Sequence, residues 1–458
     1  MGEDILLDSA FFDDKKKLHF IGIGGSGMYP IVQIMHGRGF QITGSDNNEG
    51  DTIERERDMG IAVRIGHDPR NIVGADAVIY SAAIMRDNPE LVAAREAGLP
   101  VIERSEMLGY ITRQFDDCVC VCGTHGKTSA TAMLTQILVE SGVDPTAVIG
   151  GKLPLIGGNG RAGASSVMTC EACEFVDTFL HLSPDIAVIL NIDCDHLDYF
   201  GTLDNIIKSF HKFAALATRS LIVNGDDPNT MKAVQGLMTP LTTFGFSDRN
   251  DYYPACIETL SPIGSRFDLM HRGRKLCAIT LNVLGRHNIL NAVAACAAAL
   301  QVGVTPDQLA PGIAGFTGAG RRFEVLGKVR GITIADDYAH HPAELTVTLE
   351  AAKALNFRQV WAVFQPFTYS RTAMLLDDFA SALSIADHVV MSEIMGAREH
   401  NTYNIYTKDL ADKIPGAVWF EGFGEIADYV MGNAQDGDLV ITLGCGDVYK
   451  CAKMMLDR

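Results

Sequence analysis

The residues with the plainest chemical purpose are Gly123-Thr124-His125-Gly126-Lys127-Thr128-Ser129, which directly follow the apolar run CVCVC at 118–122. A strand that feeds a short glycine-bearing loop and then a helix aims backbone N–H groups and a helix N-terminus at phosphate. A lysine at that turn neutralises the transferring group, and the hydroxyl after it suits Mg²⁺. Val121 stands where the usual GxxxxGK[ST] spacing has its first glycine, so the loop is a shortened variant. Phosphate binding is the expected chemistry; the bland alternative is a strand–turn–helix junction that happens to contain Gly-Lys-Thr.

Three other clusters could handle a ligand. Gly22, Gly24 and Gly27 form GxGxxG after an apolar run, with Asp46 near the end of the next one. That spacing suits a dinucleotide, or another nucleotide diphosphate such as a UDP-sugar, at a helix N-terminus. Glu171 and the segment Asn191-Ile192-Asp193-Cys194-Asp195-His196 follow strand candidates, and hard oxygens with one imidazole suit Mg²⁺ bridging phosphates. Asp193 and Asp198 read better as turn or capping residues. Farther on, Arg321-Arg322-Phe323-Glu324, Asp336-Asp337-Tyr338-Ala339-His340-His341-Pro342 and Gln365 to Thr372 are polar clusters, the last two of them after strands. Cys170-xx-Cys173 with Cys194 and His196 offers one CxxC and no second pair, which is weak for zinc. Cys118, Cys120 and Cys122 share one strand face and read as small buried apolar residues.

The elements that must position these groups alternate strand and helix. Leu18–Ile23, Gln41–Thr43 and Ala77–Tyr80 read as strands of a first unit, with a helix from Met28 to Gly37. Ile186–Ile192 and Ser220–Asn224 belong to a second unit, with a helix after Lys127 whose Met133, Leu134, Ile137 and Leu138 share one face. A helix over 288–300 is nearly all Ala, Val and Leu, which predicts burial on every side. Gly312 to Gly320 marks a boundary to a third unit with strands at 332–335, 360–364, 388–391 and 438–443. This alternation predicts three α/β domains built on parallel sheets, with bounds of 1–113, 114–316 and 317–458.

The 458 residues carry 38 Lys+Arg against 56 Asp+Glu, a net charge of −18, which argues against a nucleic-acid groove or an anionic membrane surface. No apolar run of about 18 residues predicts a membrane span. Residues 1–17 put acids before Lys15–Lys17, the reverse of a secretory signal. Leu6 after Gly2 stands where a myristoylation signal has Ser or Thr. Eleven cysteines then read as reduced thiols in a cytoplasmic protein.

Taken together, the motifs resemble the Mur ligase family. The carriers are GIGGSGM at 22–28, GTHGKTS at 123–129, Glu171-Ala172, Asn191–His196, GRHNILN at 285–291, GRRFE at 320–324, DDYAHHP at 336–342 and Arg371-Thr372. They span nearly the whole chain in the family's order. The resemblance implies a Rossmann-like N-terminal domain for a UDP-sugar, a central P-loop ATPase domain with a mostly parallel sheet, and a Rossmann-like C-terminal domain that closes over ATP and brings the amino acid. It implies an ATP- and Mg²⁺-dependent ligase joining L-alanine to UDP-N-acetylmuramate in peptidoglycan precursor synthesis, as monomer or homodimer. A relative that attaches a recycled tripeptide is the alternative. A nicotinamide-dependent oxidoreductase and a non-catalytic UDP-sugar-binding regulator are rivals from other classes.

Residue by residue, the resemblance assigns Gly22, Gly24, Gly25, Ser26, Gly27, Met28, Asp46 and Ser81 to the UDP-sugar. It assigns Gly123 to Ser129 (Thr124, His125, Gly126, Lys127 and Thr128 between them), His287, Asn288, Asn291, Arg322 and Asp336 to ATP. Thr128, Glu171 and His196 are the implied metal ligands, and Tyr338 and Arg371 the implied amino-acid contacts. Lys127, His196 and Arg371 are the implied catalytic set. Phe367-Thr368 stands where many relatives have His-Arg, and Cys445 stands in Gly444-Cys445-Gly446-Asp447 where Ala is more familiar.

Overall fold

The computed structural model describes residues 7–8, 10–260, 264–283, 285–396 and 399–458, together with the backbone but not the side chain of Asp198. Gly2 and Leu6 lie outside the described residues. The chain divides into two compact units, one running to Leu260 and resuming over Gly264–Thr317, the other covering Gly318–Arg458. Three sheets give a three-domain α/β fold, two in the first unit and one in the second.

The first sheet comprises β1 (Lys17–Ile21), β2 (Gln41–Asp46), β3 (Ala62–Ile65), β4 (Ala77–Tyr80) and β5 (Val101–Glu103), all parallel in the order β3-β2-β1-β4-β5. The order reverses direction between β1 and β4, and such a switch point opens a crevice at the carboxyl ends of the strands. Strand β2 outruns the expected Gln41–Thr43 because Gly44, Ser45 and Asp46 stay paired with β1 and β3. Gly44 permits this close packing, since a Cβ there would lie 2.4 Å from Ile23 Cδ1.

The second sheet comprises β6 (Asp117–Cys122), β7 (Thr146–Leu153), β8 (Gly158–Arg161), β9 (Val167–Glu171), β10 (Ile186–Ile189), β11 (Ser220–Asn224), β12 (Leu241–Phe244), β13 (Tyr252–Thr259), β14 (Ser265–His271) and β15 (Arg274–Leu281). Its order is β15-β14-β13-β12-β11-β10-β6-β9-β7-β8, parallel from β13 through β7 and antiparallel at both ends. Cys118, Cys120 and Cys122 are fully buried on β6 and join one apolar cluster, as period-2 geometry requires. The helices Lys127–Glu140 and Arg286–Gln301 pack together. Ala292, Val293, Ala294 and the run Cys296 to Ala299 are wholly buried, so the second helix is enclosed as its composition predicts. Burial of Thr131, Thr135 and Gln136 shows that the first helix is enclosed beyond its one apolar face. The glycine-rich boundary stretch is partly helical, because Gly312 sits in the helix Pro306–Ala314, where a Cβ would meet Ile137 Cα at 3.2 Å.

The third sheet comprises β16 (Glu324–Val329), β17 (Ile332–Asp337), β18 (Val360–Phe364), β19 (His388–Ser392), β20 (Val418–Phe420) and β21 (Leu439–Leu443), in the order β16-β17-β21-β18-β19-β20. Only the β16–β17 pair is antiparallel. Apolar clusters cover both faces, as buried parallel strands require.

One core position works against stability. Glu56, on the helix Asp51–Asp58, is wholly buried, and neither carboxylate oxygen has a hydrogen-bond partner among the described residues. Burial, with a smaller push from Asp46, raises its pKa from 4.5 to about 8. Its stabilising protonated form is therefore complete below pH 4.5 and lost as pH rises through 8, at about 1.4 kcal/mol per pH unit between. Glu56→Gln keeps the volume and removes the titration. Its unfolding midpoint should rise relative to wild type from pH 5 to pH 9, by several degrees at the alkaline end; parallel melting curves would contradict this.

Candidate active site

At the carboxyl edge of the first sheet, β1 turns through Gly22, which adopts φ +76° and donates its N–H to Ser45 O at 2.8 Å. Gly24 N donates to Asp46 Oδ2 at 3.0 Å, so the Asp46 carboxylate holds the glycine loop closed. Ser81 follows β4 and its N–H reaches Ile21 O at 3.2 Å, which brings the end of that strand beside the loop. Ser26 is held through its carbonyl, which accepts from Asn159 Nδ2 at 2.7 Å. Arg104, the first residue of the helix Arg104–Thr112, lies against Gly27: a Cβ there would be 3.5 Å from Arg104 Cδ. Met28 is buried beneath the loop, and Gly25 N closes the turn on Gly22 O at 3.2 Å.

Beside Asp46, residues 63–68, 70 and 71 line a cavity of about 780 Å³. Its loop is anchored by buried Glu90, which accepts from Ser45 Oγ at 2.5 Å, Asn71 Nδ2 at 2.6 Å and Asp68 N at 3.2 Å, with His19 Nε2 at 3.4 Å. Burial alone would raise the Glu90 carboxyl, but these hydrogen bonds prevail and hold it at about 2. Sequence reasoning missed Glu90, His67 and Asn71, because no local pattern links positions so far apart.

In the second sheet, β6 lies between β9 and β10, with Val121 opposite Glu171 and Cys122 opposite Ile189. The loop after β6 is thus flanked by Glu171 on one side and Asn191 on the other. Asn191 clamps the loop: its Oδ1 accepts from His125 N at 2.8 Å, its Nδ2 donates to His125 O at 2.9 Å, and its carbonyl accepts from Thr124 N at 3.0 Å. Thr124 Oγ1 accepts from Asp193 N at 2.9 Å, and the Asp193 carboxylate lies 3.9 Å from His125 Nε2. Asp227, absent from the sequence reading, accepts from Ile192 N at 2.8 Å and fixes the far end of the clamp.

Gly126 is left-handed (φ +86°) and caps the helix that begins at Lys127, with Ser129 half-buried in its first turn. Lys127 Nζ donates to Gly123 O at 2.6 Å, Thr124 O at 3.1 Å and Glu174 Oε1 at 2.9 Å. Burial disfavours the ammonium, but the Glu174 carboxylate more than offsets it and raises its pKa. Thr128 Oγ1 donates to Glu171 Oε1 at 3.0 Å, and Gly150 N donates to Glu171 Oε2 at 2.6 Å. His196 adopts φ 51°, packs against the Phe175 ring at 4.7 Å with the planes tilted by 50°, and lies 3.7 Å from Asp195 Oδ2. Among the described residues no three His, Cys, Asp or Glu side chains gather as a metal-holding group. The Thr128 hydroxyl and Glu171 carboxylate nevertheless offer touching hard oxygens at a helix start, the donor chemistry that Mg²⁺ prefers.

Gly285, with φ +92°, leads into the helix carrying His287, Asn288 and Asn291. Asn291 Nδ2 donates to Asn288 Oδ1 at 3.1 Å, and a Cβ on Gly126 would lie 2.6 Å from Asn291 Oδ1. The 285–291 motif and the 123–129 loop therefore meet.

In the second unit, Arg321 rather than Arg322 is the locked guanidinium. It donates to Asp336 Oδ2 at 2.7 Å, Gly444 O at 2.5 Å and Gly446 O at 3.1 Å, with the Tyr338 and Tyr449 rings each 5.0 Å away. Asp336 is 1% exposed and also accepts from Thr442 Oγ1 at 2.6 Å, so its carboxylate is spent inside the domain; burial raises its pKa against the pull of Arg321. Arg322 lies over the Tyr338 ring at 5.3 Å. Burial pushes the Cys445 thiol up to about 12, with the cations of Arg371 and Arg321 pulling it down. Thr368 caps the helix Tyr369–Met374 by accepting from Arg371 N at 3.3 Å. Gln365, which opens the polar cluster after β18, is 7% exposed, and its Oε1 lies 2.4 Å from where a Gly446 Cβ would stand.

Comparison with known proteins covers all three sheets. Residues 17–116 match the model described as Mur ligase family, catalytic domain; 121–299 match the Mur ligase middle domain; and 321–446 match the Mur ligase, glutamate ligase domain. A UDP-N-acetylmuramate–L-alanine ligase of Caldanaerobacter subterraneus is 41% identical over 449 residues, covering 97% of this chain and 98% of that relative. The crystal structure of a UDP-N-acetylmuramate–alanine ligase from Thermotoga maritima superposes with a TM-score of 0.83 at 26% identity, over 96% of this chain and 98% of that one. A murein peptide ligase from Psychrobacter arcticus shares the fold, with a TM-score of 0.75 at 24% identity over 96% and 98% of the two chains.

Gly126→Ala tests the loop geometry. The left-handed backbone and the collision with Asn291 should cost about 1–3 kcal/mol of stability and weaken ADP binding at least tenfold. Calorimetric titration and thermal unfolding measure the two effects; wild-type ADP affinity would show that the loop tolerates a side chain there.

Proposed function

The chain belongs to the Mur ligase family, and on that premise we propose that it joins L-alanine to the lactyl carboxylate of UDP-N-acetylmuramate, turning ATP into ADP and phosphate. The observation that carries this reading is full-length similarity, 41% identical over 97% of the chain, to a protein of that name. The Lys127 loop and the Thr128–Glu171 pair supply matching chemistry. The product belongs to peptidoglycan precursor synthesis. No helix among the described residues is long and apolar enough to cross a membrane, and we place the enzyme in the cytoplasm as a monomer or homodimer.

The division of labour follows the three sheets, with 1–113 for the UDP-sugar, 114–316 for ATP and 317–458 for the amino acid. Gly22 to Met28 present backbone N–H groups to the diphosphate, with Asp46 and Ser81 at the neighbouring strand ends and Arg104 adding positive charge. Lys127 and the N–H groups of the 123–129 loop hold the ATP phosphates. His287, Asn288 and Asn291 face the nucleotide from the adjoining helix. Arg322 reaches ATP from the C-terminal domain, and Asp336 serves that contact by fixing Arg321 and the loop it holds. Tyr338 and Arg371 flank the alanine, Arg371 as partner of its carboxylate.

A carboxylate is a poor acyl donor, so its oxygen first attacks the γ-phosphorus. The new O–P bond forms as the β–γ anhydride breaks, leaving an acyl phosphate and ADP. Positioning and charge neutralisation by Lys127 do most of this work. The neutral alanine amine then attacks the acyl carbon, phosphate departs with the C–O bond, and the amine proton is lost. Thr128 with Glu171 would hold one Mg²⁺ and His196 a second, and bound metal would neutralise charge on the phosphate oxygens. Lys127 supplies positive charge near the developing oxyanion.

Phosphate release measured with ATP, Mg²⁺ and UDP-N-acetylmuramate should depend on free L-alanine; release with a tripeptide alone would move the protein to recycling chemistry. Lys127→Ala should lower ADP formation by at least a thousandfold while UDP-N-acetylmuramate binding stays within threefold, because the two ligands use different sheets. His196→Ala should raise the Mg²⁺ concentration needed for half-maximal rate, and an unchanged requirement would remove His196 from the ligand set.

A further inference from the structure

An ammonium group has three N–H donors and no more. Lys127 directs all three at the Gly123 carbonyl, the Thr124 carbonyl and the Glu174 carboxylate, whose two oxygens lie 2.9 and 2.8 Å from Nζ. In this arrangement no donor is left over for a phosphate. Of the three acceptors, only Glu174 is a side chain, and only Glu174 carries a charge that an incoming phosphate could replace like for like. Glu174 is 2% exposed, so its pairing with Lys127 is poorly screened by water.

The position of Glu174 is held by strain. Val176 and Asp177, two and three residues after it, adopt φ 54° and φ 57°, and a β-branched residue enters that region only under tertiary compulsion. Asp177 N donates to Glu174 O at 3.0 Å, while its carboxylate takes hydrogen bonds from Tyr199 OH at 2.9 Å and from Ser209 Oγ. Phe175 is pinned against the His196 ring. Neighbours on both sides thus fix the turn that aims Glu174 at the lysine.

We infer that Glu174 is a positioning residue for Lys127 that competes with nucleotide phosphate: it keeps the ammonium paired and in place before binding, and the ligand exchanges a phosphate oxygen for the carboxylate. The inference rests on the reading of Lys127 as the phosphate-binding lysine. Because the exchange swaps one anion for another, the buried ammonium is never left uncompensated. The displaced carboxylate opposes the bound phosphate, which weakens the affinity of the wild-type chain for nucleotide.

The test is titration of the full chain with ADP and Mg²⁺, without UDP-sugar or amine. Glu174→Gln keeps the shape and removes the charge, and should bind ADP at least fivefold more tightly than wild type. In turnover the KM for ATP should fall by a similar factor while the KM for UDP-N-acetylmuramate stays within twofold, a split that a merely structural role would not produce. Glu174→Asp, which draws the charge back by one methylene, should tighten ADP binding by a smaller factor and serves as the test if the glutamine variant does not fold. Unchanged or weaker ADP binding in the folded variant would overturn the competition. Failure of the wild-type chain to bind ADP would instead overturn the phosphate-loop reading.

Discussion

The positive charge of Lys127, enclosed at the first turn of a helix, sets the arrangement of everything near it. A buried ammonium must be paired, and the helix N-terminus beneath it adds further positive potential. The chain meets both demands by placing the loop after an interior strand of a parallel sheet. The strands beside β6 then deliver Glu171 and Asn191 to the same edge through their register alone. Glu174 pairs with the lysine from the segment that follows β9, and Asn191 ties the loop backbone from the segment that follows β10. The site is a consequence of strand order as much as of the motif.

A second regularity concerns carboxylates beside loops, at a strand end for Asp46 and Asp336 and in the first turn of a helix for Glu90. Asp46 spends an oxygen on Gly24 N, Glu90 on the loop lining the neighbouring cavity, and Asp336 on Arg321 and Thr442. Each sits where a ligand-facing loop would otherwise leave backbone donors or a buried cation without an acceptor, which folded chains avoid. The presence of such an acid in a motif therefore has two sources. One is contact with ligand, and the other is the need to hold the loop that makes the contact.

Much of the fold could be read from the chain. Apolar runs closed by glycine or by small polar residues located most parallel strands, and the Ala-rich composition of 288–300 announced an enclosed helix. The antiparallel strands at 252–281 escaped notice because they are partly exposed and interleave polar or charged residues with their apolar ones. The extension of β2 through Gly44–Asp46 escaped as well, since a Gly-Ser-Asp sequence reads as a turn until neighbouring strands pair with it. Glu56 is the opposite case, a charge whose local context gives no hint that it is buried.

The candidate site divides in the same way. Residue type and order along the chain determined that a phosphate loop, a glycine-rich diphosphate loop and polar clusters behind strands would exist, because each depends on a few consecutive residues and the backbone they allow. Tertiary structure decided the partners. Glu174 on Lys127 is 47 positions away, Arg321 on Gly446 is 125, and Asn159 on Ser26 is 133. Such pairings follow from which strands become neighbours, a choice made by burial over the whole sheet. No short stretch of sequence contains that information, so the chain alone named the chemistry and only the packed sheets showed which side chain meets which.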